Sequence, residues 1–360
     1  MVKRFFCFAR FAFRVLFFGA FVFFACAFLA SCFNGKAKNS ISVAVFVPGI
    51  MADSPVYSML AQGVQEGVAE YNEAMPEEKK VKVTVLEAGT NQSEWAGKIT
   101  ALAASGLHDV IISSNPSLPD IVAPLTVQFP AQKFIILDAF HEGNQNIATV
   151  RYNQREQSYL TGYIAALVSA SKNDGLQYAN PGHKIGLVAA QEYPVMNNII
   201  LPGFQEGAQA AVPGTTVDFR VVGNWYDATK GAELAKAMYK NGVDVILPIC
   251  GGASQGVVSA AKELGFYITW FDDNGFIKAP GHIVSSSVMA QKRMAKEMVL
   301  DYLSGKTEFG KAKTVGIKEG YIDFVQDDDT YILTVPAEIR EEMGKVVSSI
   351  KNGDLLLPSP

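Results

Sequence analysis

Two aspartates end apolar runs in matching settings. Asp138 closes Phe134-Ile135-Ile136-Leu137-Asp138, and Asp272 closes Ile268-Thr269-Trp270-Phe271-Asp272. Around them stand side chains able to bind without reacting. Asp53, Asn91, Asn115 and Gln191 offer carboxylates and amides, and a carboxylate accepts hydrogen bonds from ring N–H groups or sugar hydroxyls. Tyr57 and Trp225 offer flat rings; each large aromatic buries on the order of 150–250 Å², and offset stacking adds roughly 0.5–1.5 kcal/mol. Gly251 and Gly252 open a loop, Gly251-Gly252-Ala253-Ser254-Gln255-Gly256, whose bare backbone permits close approach to ligand hydroxyls. The chemistry is that of capture: rings to stack on a planar molecule, acids and amides to hold its polar edge.

Catalysis lacks its ingredients in the sequence. His108, His141, His183 and His282 are scattered without metal-ligand spacing, and no G-x-S-x-G elbow occurs. The glycine loop lacks both the Gly-Lys-Ser/Thr ending of a P-loop and the G-x-G-x-x-G spacing of a dinucleotide site. Asp227, followed by Ala228-Thr229, reads as a helix N-cap, and Cys250 as a small buried apolar residue. No catalytic residue, metal or catalytic cofactor is expected, and no enzyme.

These residues fall just beyond the carboxyl ends of predicted strands, and the strands come in two sets. Gly63-Val64-Gln65-Glu66-Gly67 has a counterpart in Gly203-Phe204-Gln205-Glu206-Gly207. Asp109-Val110-Ile111 matches Asp244-Val245-Ile246, and the two aspartate-ended runs match each other, at offsets of 140, 135 and 134 residues. Ordered matches at a nearly constant offset mean two copies of one fold unit. Apolar β-rich runs at 43–47, 81–86, 109–113 and 134–137 alternate with helical stretches, and 184–188, 216–222, 243–248 and 267–271 repeat the plan. Continuous β-branched runs between amphipathic helices predict α/β architecture: two doubly wound parallel-sheet lobes joined by a hinge, with the ligand in the cleft at the strand ends.

The amino terminus carries Lys3, Arg4, Arg10 and Arg14, then no charge from residue 15 to 35. A positive segment before an apolar core is a secretory signal, although the uncharged run is also long enough for an uncleaved anchor. Leu29-Ala30-Ser31-Cys32 resembles a bacterial lipobox, with Cys32 the acylated residue and residues 32–40 a tether. The chain carries a net charge of −4; setting aside the four positive charges of residues 1–31, which hold no acid, leaves −8. That excludes a basic nucleic-acid footprint.

With these features in place, the chain resembles the basic membrane protein family of lipoproteins, nucleoside-type substrate-binding proteins of ABC importers. The marks are the signal with Leu29–Cys32, the glycine pair at 63 and 67, and Gly242-Val243-Asp244-Val245-Ile246 with its glycine loop. Trp270-Phe271-Asp272-Asp273-Asn274 and Val284-Ser285-Ser286-Ser287 complete them. The resemblance implies a type I periplasmic-binding-protein architecture, an ABC permease and ATPase as partners, and a lipid-anchored position outside the cytoplasmic membrane. It also implies that Tyr57 and Trp225 clamp the ligand while Asp138 and Asp272 fix it. Two departures stand out. Asp53-Ser54-Pro55-Val56-Tyr57 replaces the family's usual first loop, and Met289 falls where the family carries a ribose-holding lysine. The divergent loop looks most like the riboflavin-binding member, so riboflavin is the expected ligand, with a purine nucleoside as the alternative. A membrane-anchored sensory receptor is a further alternative. The expected layout is a signal peptide (1–31), a tether (32–40), lobe 1 (41–150 and 276–305), lobe 2 (151–275 and 306–345) and a tail (346–360).

Overall fold

The computed structural model describes residues 40–359. The expected signal peptide, Cys32 and the expected tether up to residue 39 lie outside the described residues. Ser42–Met75 and the chain from Val81 onward form one compact unit. Residues 76–80 group separately, as a short turn (Glu77–Lys79) closed by a Lys80–Glu77 ion pair of 2.6 Å.

The first lobe begins β1 (Ser42–Val47), α1 (Pro55–Glu73), β2 (Lys82–Glu87), α2 (Trp95–Ala104), β3 (Val110–Ser114), α3 (Leu118–Gln128), β4 (Lys133–Leu137) and β5 (Ile147–Tyr152). The chain then crosses into α4 (Gln154–Ser169) and builds the second lobe: β6 (Lys184–Ala189), α5 (Leu201–Ala211), β7 (Thr216–Val221), α6 (Ala228–Lys240), β8 (Val245–Ile249), α7 (Ser254–Leu264), β9 (Tyr267–Asp272) and β10 (Ile283–Met289). It returns through α8 (Gln291–Leu303) and β11 (Ala312–Val315), and ends in β12 (Ile322–Phe324), α9 (Asp329–Thr334) and α10 (Ala337–Asn352). The sheets run β11-β5-β4-β3-β1-β2 and β12-β10-β9-β8-β6-β7. All pairs are parallel except β10 with β12. The central strands β3 and β8 are buried along their whole length, as helices on both faces require.

The repeated glycine pairs have a packing role. α1 lies on α8, and α5 lies on α4. A methyl group on Gly63 would collide with the carbonyl of Lys292, and one on Gly207 with that of Tyr159. In each lobe the helix after the first strand thus meets backbone to backbone a helix arriving from the other lobe's last repeated strand. This exchange corrects the expected lobe boundaries. Residues 283–289 belong to the second sheet, as the parallel neighbour of β9, and 312–315 belong to the first, beside β5. The expected tail begins inside α10, which packs on α4.

Three crossings therefore join the lobes, and they are bonded to each other. Asn153 donates its backbone N–H to Val315 at 2.7 Å, and Ala290 donates to Tyr321 at 2.9 Å. The Tyr152 hydroxyl donates to Gln291 at 2.7 Å, buried between the crossings.

Candidate ligand-binding cleft

Asp138 and Asp272 occupy the same place in the two sheets and share an unusual backbone, with φ of 53° and 76°. The left-handed region costs a side-chain-bearing residue roughly 1–2 kcal/mol, least for a short polar one. Both carboxylates line one cavity of about 300 Å³. Their surroundings differ. Gln157 donates its Nε2 to Asp272 at 3.3 Å and to the Ser287 carbonyl at 3.0 Å. Burial raises the Asp272 carboxyl to about 7, the charge of Asp273 adds to the rise, and the Gln157 bond opposes it. Burial, and then the charge of Asp272, push Asp138 well above the ordinary carboxylate range.

The rings come from opposite lobes. Trp225, after β7, donates its indole N–H to Gln191 at 3.3 Å and packs tilted on Tyr193, with centroids 6.1 Å apart. Tyr57, in the first turn of α1, accepts from the Asn115 amide at 3.4 Å. Burial, with the charge of Asp138 adding, raises its hydroxyl to about 12, while the Asn115 bond opposes the rise. A smaller cavity of about 120 Å³ adjoins the first, shares Tyr57, Trp225 and Asp272 with it, and reaches Asp53, Cys250, Gly251 and Trp270. Cys250 is fully buried, and burial lifts its thiol to about 12.

Eight of the residues expected from the sequence line these cavities: Asp53, Tyr57, Asn115, Asp138, Gln191, Trp225, Gly251 and Asp272. Gln191 braces Trp225 and pairs with Gln92 across the mouth. The two amides exchange hydrogen bonds of 3.1 and 3.2 Å. The glycine loop touches protein: carboxylate atoms of Asp53 come within 3.4 Å of where a Gly252 Cβ would stand, and the Trp225 carbonyl within 2.8 Å of where a Gly251 Cβ would stand. Gly251 has φ of 57°, so glycine suits it on both counts. Asn91 does not line either cavity; it caps the turn Gln92–Glu94, accepting from Ser93 and donating to Glu94 at 2.8 Å. Asp227 caps α6 as expected, accepting from the Lys230 N–H at 2.9 Å.

Trp95, Tyr193 and Ser114 line the site without having been singled out from the sequence. Tyr193 and Ser114 lie just after predicted strands, the signal that identified Trp225, whereas Trp95 opens the helix α2 and carries no such signal. Gln157 carries no such signal, because it sits inside α4 and reaches Asp272 only through the inter-lobe crossing.

Comparison with known proteins agrees with this architecture. The family model described as "ABC transporter substrate-binding protein PnrA-like" matches residues 40–355. The chain is 25% identical over 345 residues to basic membrane protein A2 of Borrelia garinii subsp. bavariensis, covering 94% of each. It is 23% identical over 347 residues to the ABC transporter nucleoside-binding protein BmpA of Lactococcus lactis subsp. cremoris, covering 92% of each. Among solved structures, an ABC transporter solute-binding protein from Aeropyrum pernix K1 superposes with a TM-score of 0.75 at 19% identity, covering 89% of this chain and 94% of that one. A cleft between two α/β lobes, and a family match over nearly the whole described chain, lead to one assignment: the chain belongs to the Bmp family of ABC transporter substrate-binding proteins, which are binding proteins and not enzymes.

Proposed function

We propose that this protein captures a purine nucleoside between its lobes and presents it to an ABC permease. The observation that carries the reading is the single cavity that gathers Tyr57 from one lobe, Trp225 from the other, and both strand-end aspartates. The rings supply stacking area, and the carboxylates accept from the N–H and O–H groups that purines and ribose present. A relative named as nucleoside-binding supports this choice and reverses the order of the two ligands expected from the sequence. Riboflavin stays as a second reading on one observation. The cavity continues past Trp225 towards Pro248 and Trp270, giving a larger ring room to extend.

Membership in a family of ABC receptors places its work outside the cytoplasm and implies a permease partner. No helix among the described residues is long and apolar enough to cross a membrane. Acylation at Cys32 is the proposed attachment, and two or more acyl chains suit stable anchoring. Mass spectrometry of the mature amino terminus tests it; an intact Met1 would replace the anchor by the receptor alternative.

Titration calorimetry with inosine, guanosine and riboflavin separates the ligands. A nucleoside should bind with a Kd on the nanomolar-to-micromolar scale, equivalent to about 8–12 kcal/mol, and displace riboflavin. Tight riboflavin binding that nucleosides fail to displace would exchange the two readings.

A further inference from the structure

Charge sets the cleft apart from its surroundings. Asp53, Asp138 and Asp272 line the two cavities, and no lysine, arginine or histidine among the described residues does. Lys278 lies over the Trp270 ring, 5.3 Å from its centroid, but its ammonium is paired with Asp273 at 3.4 Å and it lines neither cavity. Six aromatic side chains also line the cavities: Tyr57, Trp95, Tyr193, Trp225, Trp270 and Phe271. The faces of such rings are electron-rich and attract cations. One further group points to a ligand. The Ser114 hydroxyl, on a residue 1% exposed, lines the larger cavity and has no hydrogen-bond partner in the protein.

Resting on the nucleoside reading, we infer that the site selects by charge as well as by shape. It takes purine nucleosides whose base carries a formal positive charge, such as N-methylated bases, in preference to neutral bases of the same shape, and it rejects phosphorylated ligands. A base cation placed between Tyr57 and Trp225 meets ring faces on both sides, and its charge favours the ionised form of the Asp138 and Asp272 carboxyls at its edge, which burial otherwise keeps protonated to higher pH. No protein cation has to be displaced to admit it. A phosphate meets the same carboxylates and finds no partner. Ser114 then serves an acceptor on the ligand, the one role the aspartates leave unfilled.

Four nucleosides near neutral pH separate charge from bulk: adenosine, inosine, 1-methyladenosine and 1-methylinosine. The methyl group occupies the same position in the last two, but only 1-methyladenosine is cationic. Calorimetry should show that methylation improves adenosine relative to inosine by about tenfold. The ratio should shrink towards one in Asp138→Asn and Asp272→Asn, and with added salt. Adenosine monophosphate should bind at least a hundredfold more weakly than adenosine. A ratio at or below one, with both parent nucleosides bound, would overturn the inference and leave the nucleoside reading intact. Exclusion of both methylated bases would overturn it equally. If neither parent binds, the nucleoside reading itself is wrong, and this inference goes with it.

Discussion

The two lobes repeat one plan and then diverge where the ligand would lie. In both, the fourth repeated strand ends in an aspartate with left-handed backbone, Asp138 after β4 and Asp272 as the last residue of β9. Among the described residues, Asp272 has an amide donor, Gln157, and no such bond is made to Asp138. The third repeated strand ends in Ser114 and Asn115 in the first lobe, and the equivalent strand in the second leads through Cys250 to Gly251 and Gly252. The first lobe supplies Tyr57 from a helix start, and the second supplies Trp225 from a loop, braced by Gln191 and Tyr193. Duplication built the frame, and side chains at equivalent strand ends then took different tasks. The second lobe holds the better-braced ring, Trp225, and the first lobe supplies the other, Tyr57, with one hydrogen bond from Asn115.

That asymmetry is open to direct attack. Trp225→Ala should weaken ligand binding by about a hundredfold and Tyr57→Ala by about tenfold, since the indole offers the larger buried face; equal losses measured by calorimetry would make the clamp symmetric. Gly251→Ala should cost roughly 1–2 kcal/mol in chemical denaturation, because a side chain there must adopt left-handed backbone and press on the Trp225 carbonyl. The same change at Gly97, inside α2 with open space around it, should instead stabilise the protein by up to about 1 kcal/mol, because alanine is the better helix former.

The aspartates make a prediction in pH. Each has a folded-state pKa raised above the ordinary value near 4. The folded protein therefore holds these protons more tightly than the unfolded chain does. Stability from this source is fully present below about pH 4 and is lost as pH rises through the folded values, about 7 for Asp272. The melting temperature of the ligand-free protein should fall by several degrees over that window. Asp138→Asn should flatten the profile more than Asp272→Asn, because Gln157 already supports the Asp272 charge. The smallest effect belongs to the mouth. Gln92→Ala removes the amide pair with Gln191 and should speed ligand release by about twofold to fivefold in stopped flow.

Much of this frame was legible in the sequence, because a strand followed by a polar residue is a local pattern and its recurrence at a fixed offset exposes the duplication. The glycine pairs were visible too, but not their purpose, since Lys292 and Tyr159 meet them only after the chain has crossed between lobes. The same long-range exchange hid the lobe boundaries at 276–305 and 306–345. Asn91 looked like a ligand contact by position, yet its amide is spent on its own turn. Trp95 passed unnoticed as a helix start, although its indole donates to Gly89 at 2.9 Å and its ring lines the cleft.

The central claim is that rings from opposite lobes close on one planar ligand. A crystal structure of the protein with inosine tests it most directly. The base should lie between Tyr57 and Trp225 at stacking distance, with Asp138 and Asp272 on its polar edges. An inosine bound elsewhere, or bound in the cleft with either ring turned away from it, would contradict the account.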